Sequence, residues 1–531
     1  MEFILHALPV LLLLAIAACA LVLCARRLVH FLQLESYQLP GYFRSVRRNA
    51  VQAFAPGLIL AAAGFLCLPL MELIGRYAPY RWNMPTAWLG VLGAAGLLNL
   101  SMRRGKAKKP LVFTPRVKRL YGMFAAAAFV LCALCMAFLG LKAIAVLPAL
   151  LPLIVALSAT LAKPIEQHIN MGFFRDAQRR LDARPGLIRI GITGSYGKTS
   201  TKFLLGTILS ERYNVLMTPS SFNTPMGVTR VVREKLQPYH EVFIAEMGAR
   251  HVGDIRELVE LVHPTVGLLT SVGPQHLDTF GTIENIKRTK YELIEGLPED
   301  GIAVFARDGA ICEELYASCK LAGKRLAGEG LRVENLTVGP FGSRFDLVDE
   351  GGKRVCCETK LLGEHAIGNL LLCATTARCL SLTLEEIARG IAKCAPVEHR
   401  LQLIEGKGGV TVIDDAFNAN PRGAQAALRV LRGFPKRRII ITPGMVELGG
   451  EEDAFNEAFG RQMAESADVA ILVGRRHTAP IRKGLLEAGF DERCLHVVAN
   501  LDESTQVLGT LVRPGDTVLY ENDLPDNYSE N

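Results

Sequence analysis

The first third of the chain alternates long apolar runs with short polar loops. Uncharged stretches cover residues 7–25, 50–71, 86–100, 121–141 and 143–162. A run of about 20 apolar residues crosses the roughly 30 Å hydrocarbon core of a bilayer as an α-helix. Because Arg26 and Arg27 follow the first run instead of preceding it, a retained span is favoured over a cleaved signal peptide. The pattern therefore predicts an α-helical membrane domain of about five spans over residues 1–165.

The charge of the chain is distributed as unevenly as its apolar residues. Residues 1–165 contain 17 Lys and Arg residues against 3 Asp and Glu residues, whereas the remainder carries a net charge of −6. The overall net charge of +8 therefore describes no single surface, and it does not indicate a nucleic-acid partner. The 13 cysteines show neither a disulfide framework nor a metal-ligand spacing, which excludes a disulfide-rich secreted domain.

Lysine and arginine in the loops predict how the spans are oriented. Five arginines lie within residues 26–50 and eight cations within residues 101–120, whereas the loop 72–85 has only two. Positively charged loops stay on the cytoplasmic side of a membrane. We therefore expect a multi-pass protein of the cell membrane, with its N-terminus outside and everything after Lys163 in the cytoplasm. Anionic lipid headgroups would lie near the basic loops.

After residue 165 the hydrophobic pattern changes to that of an α/β protein. Residues 166–186 are predicted to form a polar linker helix, and residues 187–192 alternate as a β-strand does. The segment TGSYGKTS follows and leads into a helical pattern at 201–210. Strand, glycine loop and helix together predict a P-loop, although Ile192 stands where the strict pattern has glycine. The residues predicted to bind a nucleotide here are Gly194, Ser195, Gly197, Lys198, Thr199 and Ser200.

Three further residues are candidates for a phosphate-transfer site. Glu246 follows an apolar strand predicted at 242–245. A carboxylate at the end of a strand beside a P-loop can bind a metal ion directly or through a metal-bound water. His276 follows a buried strand predicted at 265–272, and Lys290 lies in a helical pattern fourteen residues later. Taken alone, a loop histidine or a helix lysine is more often a solvated surface residue.

Taken together, these motifs resemble those of the Mur ligase family. The sequence contains T-G-S-x-G-K-T-S, A-E-M-G, H-L-D-x-F-G and T-K-Y-E in that order, and the similarity covers roughly residues 187–520. It includes the segments 362–365, 399–401, 414–421 and 445–449. The resemblance implies a P-loop ATP-binding central domain over residues 187–398 and a Rossmann-like C-terminal domain over residues 399–531. The strands of that second domain would lie at 410–413, 438–442, 469–473 and 517–520.

The resemblance also implies an ATP-dependent ligase that joins a carboxylate to an amine. In the family the carboxylate attacks the γ-phosphate of ATP to give an acyl phosphate, and the amine then displaces phosphate. Lys198, His276 and Lys290 match the catalytic residues, and Lys290 matches the position that the family carbamylates.

Two Mg²⁺ sites and a nucleotide site follow from the same motif match. Thr199 and Glu246 would hold one Mg²⁺, whereas His276 and the carbamylated Lys290 would support the second. The positions that match contacts to the nucleotide are Asn369, Arg400 and Asp415.

The chain also departs from the family pattern. The family's N-terminal domain, which grips a UDP-sugar, has no counterpart, and the apolar runs occupy its place. The most similar members add D-alanyl-D-alanine to a UDP-linked muramoyl tripeptide, and residues 521–525 (ENDLP) replace their Lys-Gly-Ser-Arg element. Ala306 and Ala366 stand where asparagine is expected, and Phe417 stands where tyrosine is expected. Because catalytic residues are kept and recognition residues are replaced, the pattern favours the same reaction with a different acceptor.

The predicted function is therefore a membrane-anchored ligase in cell-wall synthesis. It would join an amino acid or dipeptide to a muropeptide precursor that is either UDP-linked or lipid-linked. The alternatives are ordinary D-alanyl-D-alanine addition to the UDP-linked tripeptide, a polyglutamate-type synthase, and a non-catalytic nucleotide-binding scaffold for wall-synthesis enzymes. A transporter driven by the P-loop is disfavoured because the apolar runs lack charges that could line a path.

Overall fold

The computed structural model describes residues 2–74, 82–103, 110–220, 222–417 and 419–524. Within these residues the chain divides into two compact units, Met1–Met171 and Gly172–Leu524. Several predicted features lie outside the described residues: part of each of two loops (residues 75–81 and 104–109), Asn418 of the 414–421 motif, and the end of the predicted C-terminal domain after residue 524.

The first unit is entirely helical in the part of the chain that the structure describes. Its helices are α1 (Glu2–Cys24), α2 (Arg26–Leu34), α3 (Leu39–Arg48), α4 (Ala50–Ile74), α5 (Asn83–Arg103), α6 (Pro115–Phe138), α7 (Leu141–Val146) and the first part of α8 (Leu151–Asp182), with a short 3-10 helix at Leu147–Leu150.

Among the described residues, five helical segments are long and apolar enough to cross a membrane. They are Ala7–Cys24, Ala50–Met71, Asn83–Arg103, Pro115–Phe138 and Leu141–Asp182. The number agrees with the five predicted runs. The third of these segments, α5, is three residues longer at each end than its predicted run, 86–100. The predicted linker helix does not begin separately, because α8 continues through Pro164 from the last apolar run to Asp182.

Polar side chains tie the helices of the first unit together. Nδ2 of Asn99 donates to the backbone oxygen of Leu23 at 2.6 Å, which joins α5 to α1. Arg119 on α6 binds both carboxylate oxygens of Glu166 on α8, at 2.6 and 2.8 Å. A bidentate arginine–carboxylate pair of this kind is strong as well as directional.

The second unit contains two α/β domains, which we name by residue number: the middle domain (187–398) and the C-terminal domain (399–524). In the middle domain the strands are β1 (Ile188–Thr193), β2 (Val215–Met217), β3 (Val242–Glu246), β4 (Val266–Leu269), β5 (Ile302–Phe305), β6 (Gly323–Leu326), β7 (Leu331–Gly339), β8 (Gly342–Asp349) and β9 (Arg354–Thr359). Its helices are α9 (Lys198–Leu209), α10 (Pro225–Lys235), α11 (Asp254–Val262), α12 (Leu277–Phe280), α13 (Ile283–Glu295), α14 (Ala310–Ser318), α15 (Glu364–Cys379) and α16 (Leu384–Lys393).

The C-terminal domain has the same kind of layered order. Its strands are β10 (Gln402–Glu405), β11 (Thr411–Asp415), β12 (Arg438–Thr442), β13 (Val469–Val473), β14 (Leu495–Val498) and β15 (Thr517–Glu521). Its helices are α17 (Pro421–Arg432), α18 (Glu452–Ala464), α19 (Ala479–Glu487) and α20 (Leu501–Leu511), with short 3-10 helices at Lys407–Gly409, Gly449–Glu451 and Glu492–Cys494.

Within the described residues, each domain is built on one six-stranded sheet. The middle-domain sheet has the order β2-β3-β1-β4-β5-β6 and is parallel throughout, and β7, β8 and β9 form a separate antiparallel sheet. The C-terminal sheet has the order β10-β11-β15-β12-β13-β14, in which only the edge strand β10 is antiparallel. Apolar residues fill both faces of each six-stranded sheet, as parallel sheets covered by helices require.

Candidate active site

Three of the predicted motifs come together because they follow three neighbouring strands. β1 lies between β3 and β4, and these strands are parallel. The P-loop follows β1, Glu246 ends β3, and His276 lies in the segment that follows β4. Carboxyl ends of parallel strands share one edge of a sheet, where α/β proteins bind their ligands. The fold therefore places the predicted phosphate, metal and histidine positions at one edge.

The turn of the P-loop requires glycine at its first position. Gly194 has a φ angle of 148°, and Gly197 has a φ angle of 78°. A Cβ atom on Gly194 would overlap Oγ1 of Thr270 and would lie 2.8 Å from the backbone nitrogen of Ser271. A side chain at this position would therefore meet both unfavourable φ and occupied space.

Ser195 fixes the P-loop to the segment that follows β4. Its backbone N–H donates to the oxygen of Ser271 at 2.8 Å, and its hydroxyl donates to the oxygen of Gly273 at 2.9 Å. Ile192, the departure from the strict P-loop pattern, lies within β1 and is fully buried in the core. The departure therefore affects strand packing and not the phosphate-binding turn.

Lys198 begins α9 and folds back over its own loop. Its Nζ donates to the backbone oxygens of Gly194 at 2.6 Å and of Ser195 at 3.0 Å. Burial lowers the pKa of Lys198 to about 8, although the carboxylate of Glu246 opposes this effect. The helix N-terminus and the ammonium group together give this loop the positive potential that phosphates need.

The carboxylate of Glu246 is held by three side chains. Oε1 accepts hydrogen bonds from the hydroxyl of Thr199 at 3.1 Å and from Nδ2 of Asn223 at 3.0 Å. Oε2 accepts from Nζ of Lys202 at 3.1 Å, and the side chain of Lys202 is fully buried. Burial would raise the pKa of Glu246, but the ammonium groups of Lys202 and Lys198 and the hydrogen bonds lower it below its ordinary value. Sequence reasoning missed Lys202 and Asn223.

The pair of Thr199 and Glu246 fits a Mg²⁺ ion. Both offer oxygen atoms, and Mg²⁺ in phosphate sites takes one or two protein oxygens and completes its shell with water and substrate phosphates. The described part of the chain has no group of three or more His, Cys, Asp or Glu side chains that could hold a metal alone. The residues present therefore suit a metal that arrives with a nucleotide.

His276 faces a carboxylate that sequence reasoning did not assign. Its Nδ1 lies 2.6 Å from Oε2 of Glu447, which belongs to the C-terminal domain. Burial lowers the pKa of His276, and the contact with Glu447 opposes this effect. The role of His276 beside a second Mg²⁺ stays a prediction. In that role His276 would keep its contact with Glu447 through Nδ1.

Lys290 lies on α13 and is buried. Among the described residues, no hydrogen-bond acceptor binds its Nζ, which lies 5.9 Å from the ring centroid of Phe280. Burial, followed by the neighbouring charge of Lys198, lowers the pKa of Lys290 well below its ordinary value. This environment favours a neutral amine at the position that was predicted to be modified.

A cavity of about 460 Å³ lies between the middle and C-terminal domains beside the P-loop. The predicted nucleotide-binding residues Gly197, Ser200, Asn369, Arg400 and Asp415 all line it. Ala306 and Ala366, the two positions that lack the expected asparagine, line it as well. The structure therefore brings these five residues of both domains around one space. The other predicted nucleotide-binding residues, Gly194, Ser195, Lys198 and Thr199, are not among the residues that line it.

Arg400 and Asp415 carry the C-terminal domain's contribution to this cavity. Nη2 of Arg400 donates to Oγ1 of Thr199 at 3.5 Å, and its guanidinium carbon lies 4.7 Å from the ring centroid of Phe417. Asp415 accepts a hydrogen bond from the backbone of Leu401 at 3.2 Å, and burial raises the pKa of Asp415 to about 6.

The acidic replacement at residue 521 is fully buried at the end of a strand of the C-terminal sheet. Glu521 ends β15 opposite Asp415, and its Oε2 accepts from the hydroxyl of Thr442 at 3.1 Å. Burial and then the charge of Asp415 raise the pKa of Glu521 to about 8. Asn522 joins three segments above it: its amide donates to Gly444, its side-chain oxygen accepts from Ala419 at 3.1 Å, and its backbone N–H donates to Asp415 at 3.2 Å.

Two family models match the second unit in sequence order. Residues 192–377 match the Mur ligase middle domain, and residues 399–520 match the Mur ligase, glutamate ligase domain. Among curated relatives, the UDP-N-acetylmuramoyl-tripeptide–D-alanyl-D-alanine ligase of Mycobacterium bovis is 33% identical over 63% of this chain and 70% of its own length.

Solved structures agree with these matches. The crystal structure of MurF from Acinetobacter baumannii superposes with a TM-score of 0.61 at 26% identity, covering 68% of this chain and 79% of that one. The MurF ligase from Thermotoga maritima in complex with ADP has a similar fold, with a TM-score of 0.59 at 24% identity over 67% of this chain and 80% of that one.

Proposed function

This chain belongs to the Mur ligase family, whose members are ATP-dependent amide-bond ligases that form ADP, and we propose that it ligates a peptidoglycan precursor at the membrane. The predicted family and enzyme class are thereby confirmed. The observation that carries the proposal is that Lys198, Thr199, Glu246 and Arg400 converge beside one interdomain cavity. The proposal concerns the roles of the individual site residues, the acceptor substrate and the location of the reaction at the membrane.

ATP would bind with its phosphates on the P-loop and its nucleoside in the cavity of about 460 Å³. Lys198 would exchange its bonds to two backbone oxygens for bonds to the phosphates. Thr199 and Glu246 would hold Mg²⁺, which when bound neutralises charge on the phosphate oxygens. Asn369, Arg400 and Asp415 would hold the nucleotide from the other walls of the cavity.

The reaction proposed has two steps. A carboxylate oxygen of the precursor bonds to the γ-phosphorus of ATP while the bond from that phosphorus to the β,γ-bridging oxygen breaks, giving an acyl phosphate and ADP. The neutral amine of the donor then bonds to the acyl carbon, inorganic phosphate leaves, and the amine releases a proton. Because an anion attacks an anion in the first step, Lys198 and Arg400 would lower the barrier by opposing their repulsion.

We expect Lys290 to react with carbon dioxide before it contributes to metal binding in this site. Its amine would bond to the carbon of CO₂ and release one proton, giving a carbamate anion. Only the neutral amine can make this bond, and burial lowers the pKa of Lys290 well below its ordinary value. The carbamate and His276 would then support a second Mg²⁺.

The apolar first unit supports membrane anchoring. Five helical segments of the described chain have the length and composition of spans, and several large side chains on them are well exposed, including Leu66, Leu97 and Phe138. Apolar surface of that extent is typical of contact with lipid. The basic loops favour a cytoplasmic ligase site and an outside N-terminus. ATP and cytoplasmic precursors would both reach a site with that orientation.

A lipid-linked muropeptide is the acceptor that we propose. The family matches begin at residue 192, and apolar helices precede them where the resemblance implies a domain that grips a UDP-sugar. Ordinary D-alanyl-D-alanine addition to a UDP-linked tripeptide is the second candidate, because the relative of that name is 33% identical. The scaffold alternative is disfavoured, because a scaffold does not need Lys198 and Glu246 beside a nucleotide cavity.

The two acceptors can be compared directly with full-length protein in lipid nanodiscs. ADP release is measured with ATP, Mg²⁺ and D-alanyl-D-alanine or single amino acids, using the UDP-linked and the polyprenyl-linked form of one muropeptide. We expect the polyprenyl-linked form to give the higher kcat/KM and the Lys198→Ala variant to release no ADP. Turnover of the UDP-linked form alone would establish the ordinary reaction, and turnover of neither form would refute a wall precursor as acceptor.

A further inference from the structure

One carboxylate of the C-terminal domain reaches two side chains of the middle domain. Oε2 of Glu447 lies 2.6 Å from Nδ1 of His276, and Oε1 lies 3.7 Å from the guanidinium of Arg250. Arg250 follows Glu246 by four residues in the segment after β3. Glu447 is therefore shared between the two middle-domain segments that were predicted to form the metal side of the site.

The backbone at both ends of this contact is unusual. Glu447 has a φ angle of 65° and His276 has a φ angle of 54°, both in the left-handed region. Residues other than glycine adopt this conformation at an energetic cost, and such residues cluster where function requires a side chain to be aimed.

The loop that holds Glu447 is firmly anchored on its own domain. The flanking residues Met445 and Leu448 are buried in the core of the C-terminal domain. Asn456 on α18 binds both the backbone N–H and the backbone oxygen of Met445, each at 2.9 Å. The carboxylate is thus presented by a fixed loop, and it can reach His276 only while the two domains of the second unit are in contact.

The contact also decides which nitrogen of His276 is available. A carboxylate only accepts hydrogen bonds, so Nδ1 must carry the hydrogen and Nε2 is left as the acceptor of a neutral ring. The segment that holds His276 is bonded to the P-loop, since the hydroxyl of Tyr196 donates to Pro274 at 2.8 Å. An imidazole that binds a metal or contacts the transferred phosphate must have its reacting nitrogen held in a fixed orientation, and Nε2 in this segment is so held.

We propose that Glu447 is a positioning residue, which orients the imidazole of His276 across the contact between the C-terminal and middle domains. The inference rests on the proposed ligase function and adds a residue that acts through His276 without touching substrate. The site would then be complete only while the two domains are in contact, because Glu447 is the group that fixes the ring of His276.

Three variants of the full-length protein test this role. Glu447→Ala removes the acceptor, Glu447→Gln keeps an oxygen that can accept the Nδ1 hydrogen, and Glu465→Gln changes an exposed glutamate that pairs with Arg432. Substituting a group that orients a ligating histidine typically costs about 10- to 100-fold, so we expect that loss of kcat in Glu447→Ala, with KM for ATP within about twofold. Glu447→Gln should lose less, and Glu465→Gln should behave as the unchanged protein.

A second readout does not need turnover. Diethyl pyrocarbonate modifies unprotonated imidazole nitrogens, and peptide mass spectrometry reports its rate at His276 alone. With a non-hydrolysable ATP analogue bound, we expect His276 to be modified several times faster in Glu447→Ala than in Glu465→Gln, because the ring is no longer held. This arm still decides the inference if no acceptor is found and the proposed function fails.

Equal modification rates in Glu447→Ala and Glu465→Gln would overturn the proposal, and so would a kcat within twofold of the control. If Glu447→Ala does not fold, as judged by thermal unfolding, the isosteric Glu447→Gln variant decides. For the proposal to stand, Glu447→Gln must then have a lower kcat than Glu465→Gln, and its His276 must be modified faster.

Discussion

The buried charges of the site differ in how far their neighbours compensate them. Glu246 has a cationic partner in Lys202, which is fully buried. By contrast, burial and the negative charge of Asp415 both raise the pKa of Glu521, and only the hydrogen bond from Thr442 opposes them. The sequence predicts Glu246 from the end of its strand, but it cannot predict Lys202, which lies 44 residues away and meets Glu246 only in the folded protein. The same holds for Glu447 and His276, which are separated by 171 residues.

Replacing Lys202 by methionine should destabilise the second unit strongly. The carboxylate of Glu246 would remain buried without its cation, and breaking a buried ion pair by removing one partner costs about 3–5 kcal/mol. Denaturant unfolding of Lys202→Met measures this loss. As control, Arg230→Met breaks an exposed pair with Glu234 and should change the free energy of unfolding by less than about 1 kcal/mol. Equal effects of the two substitutions would refute the assigned role of Lys202.

Replacing Glu521 by glutamine should stabilise the protein more as pH rises. The pKa of Glu521 is about 8 in the folded protein and near its ordinary value of 4.5 in the unfolded chain, so the folded state binds this proton more tightly. Stability from this group is therefore complete below pH 4.5 and declines as pH rises toward 8. The melting temperature of Glu521→Gln, minus that of the unchanged protein, should increase between pH 5 and pH 8. A constant difference would contradict a buried protonated carboxyl.

The elements that carry the site are those that the local pattern predicts best. β1, β3 and β4 are continuous and mostly apolar, so both their place and their type could be read from the sequence. The strands β7, β8 and β9 were not predicted. In β7 the exposed and buried positions do not alternate, and a register shift interrupts its pairing with β8. The predicted linker merged with the last span because Pro164 removes one backbone donor without ending α8.

A methyl group at Gly194 should weaken nucleotide binding. The new Cβ would overlap Oγ1 of Thr270, and the φ angle of 148° is unfavourable for alanine. Strain of this kind costs about 1–3 kcal/mol, so the affinity for an ATP analogue should fall by about 10-fold or more in Gly194→Ala. Gly172→Ala is the control, because no atom lies within 4 Å of its Cβ position. Calorimetry that finds similar affinities for the two variants would contradict the P-loop geometry.

At the scale of the whole molecule, two compact units have opposite surface chemistry. The sequence predicts this division from charge and hydropathy, because 17 of the Lys and Arg residues lie in the first 165 residues among uncharged runs. It could not predict that the middle and C-terminal domains are joined by contacts such as Asp308–Arg422 at 2.6 Å, since these depend on the folded arrangement of both domains. The interdomain cavity exists only because of that arrangement.

Membrane anchoring predicts a definite fractionation and orientation. The protein should remain in the membrane pellet after alkaline carbonate extraction, because five apolar helical segments would hold it there. In intact spheroplasts, protease should remove an N-terminal epitope and leave a C-terminal epitope protected. Release by carbonate would contradict anchoring, and a protected N-terminal epitope would contradict the orientation.

A ligase of the proposed kind converts ATP to ADP while it forms one amide bond, and both products can be measured. Full-length protein in nanodiscs is given ATP, Mg²⁺, a muropeptide and an amine donor, and ADP is counted against the ligated product by mass spectrometry. We expect one ADP for each product molecule, with the formation of both reduced by at least about 100-fold in Lys198→Ala. Formation of AMP and pyrophosphate, or product that does not depend on Lys198, would contradict it.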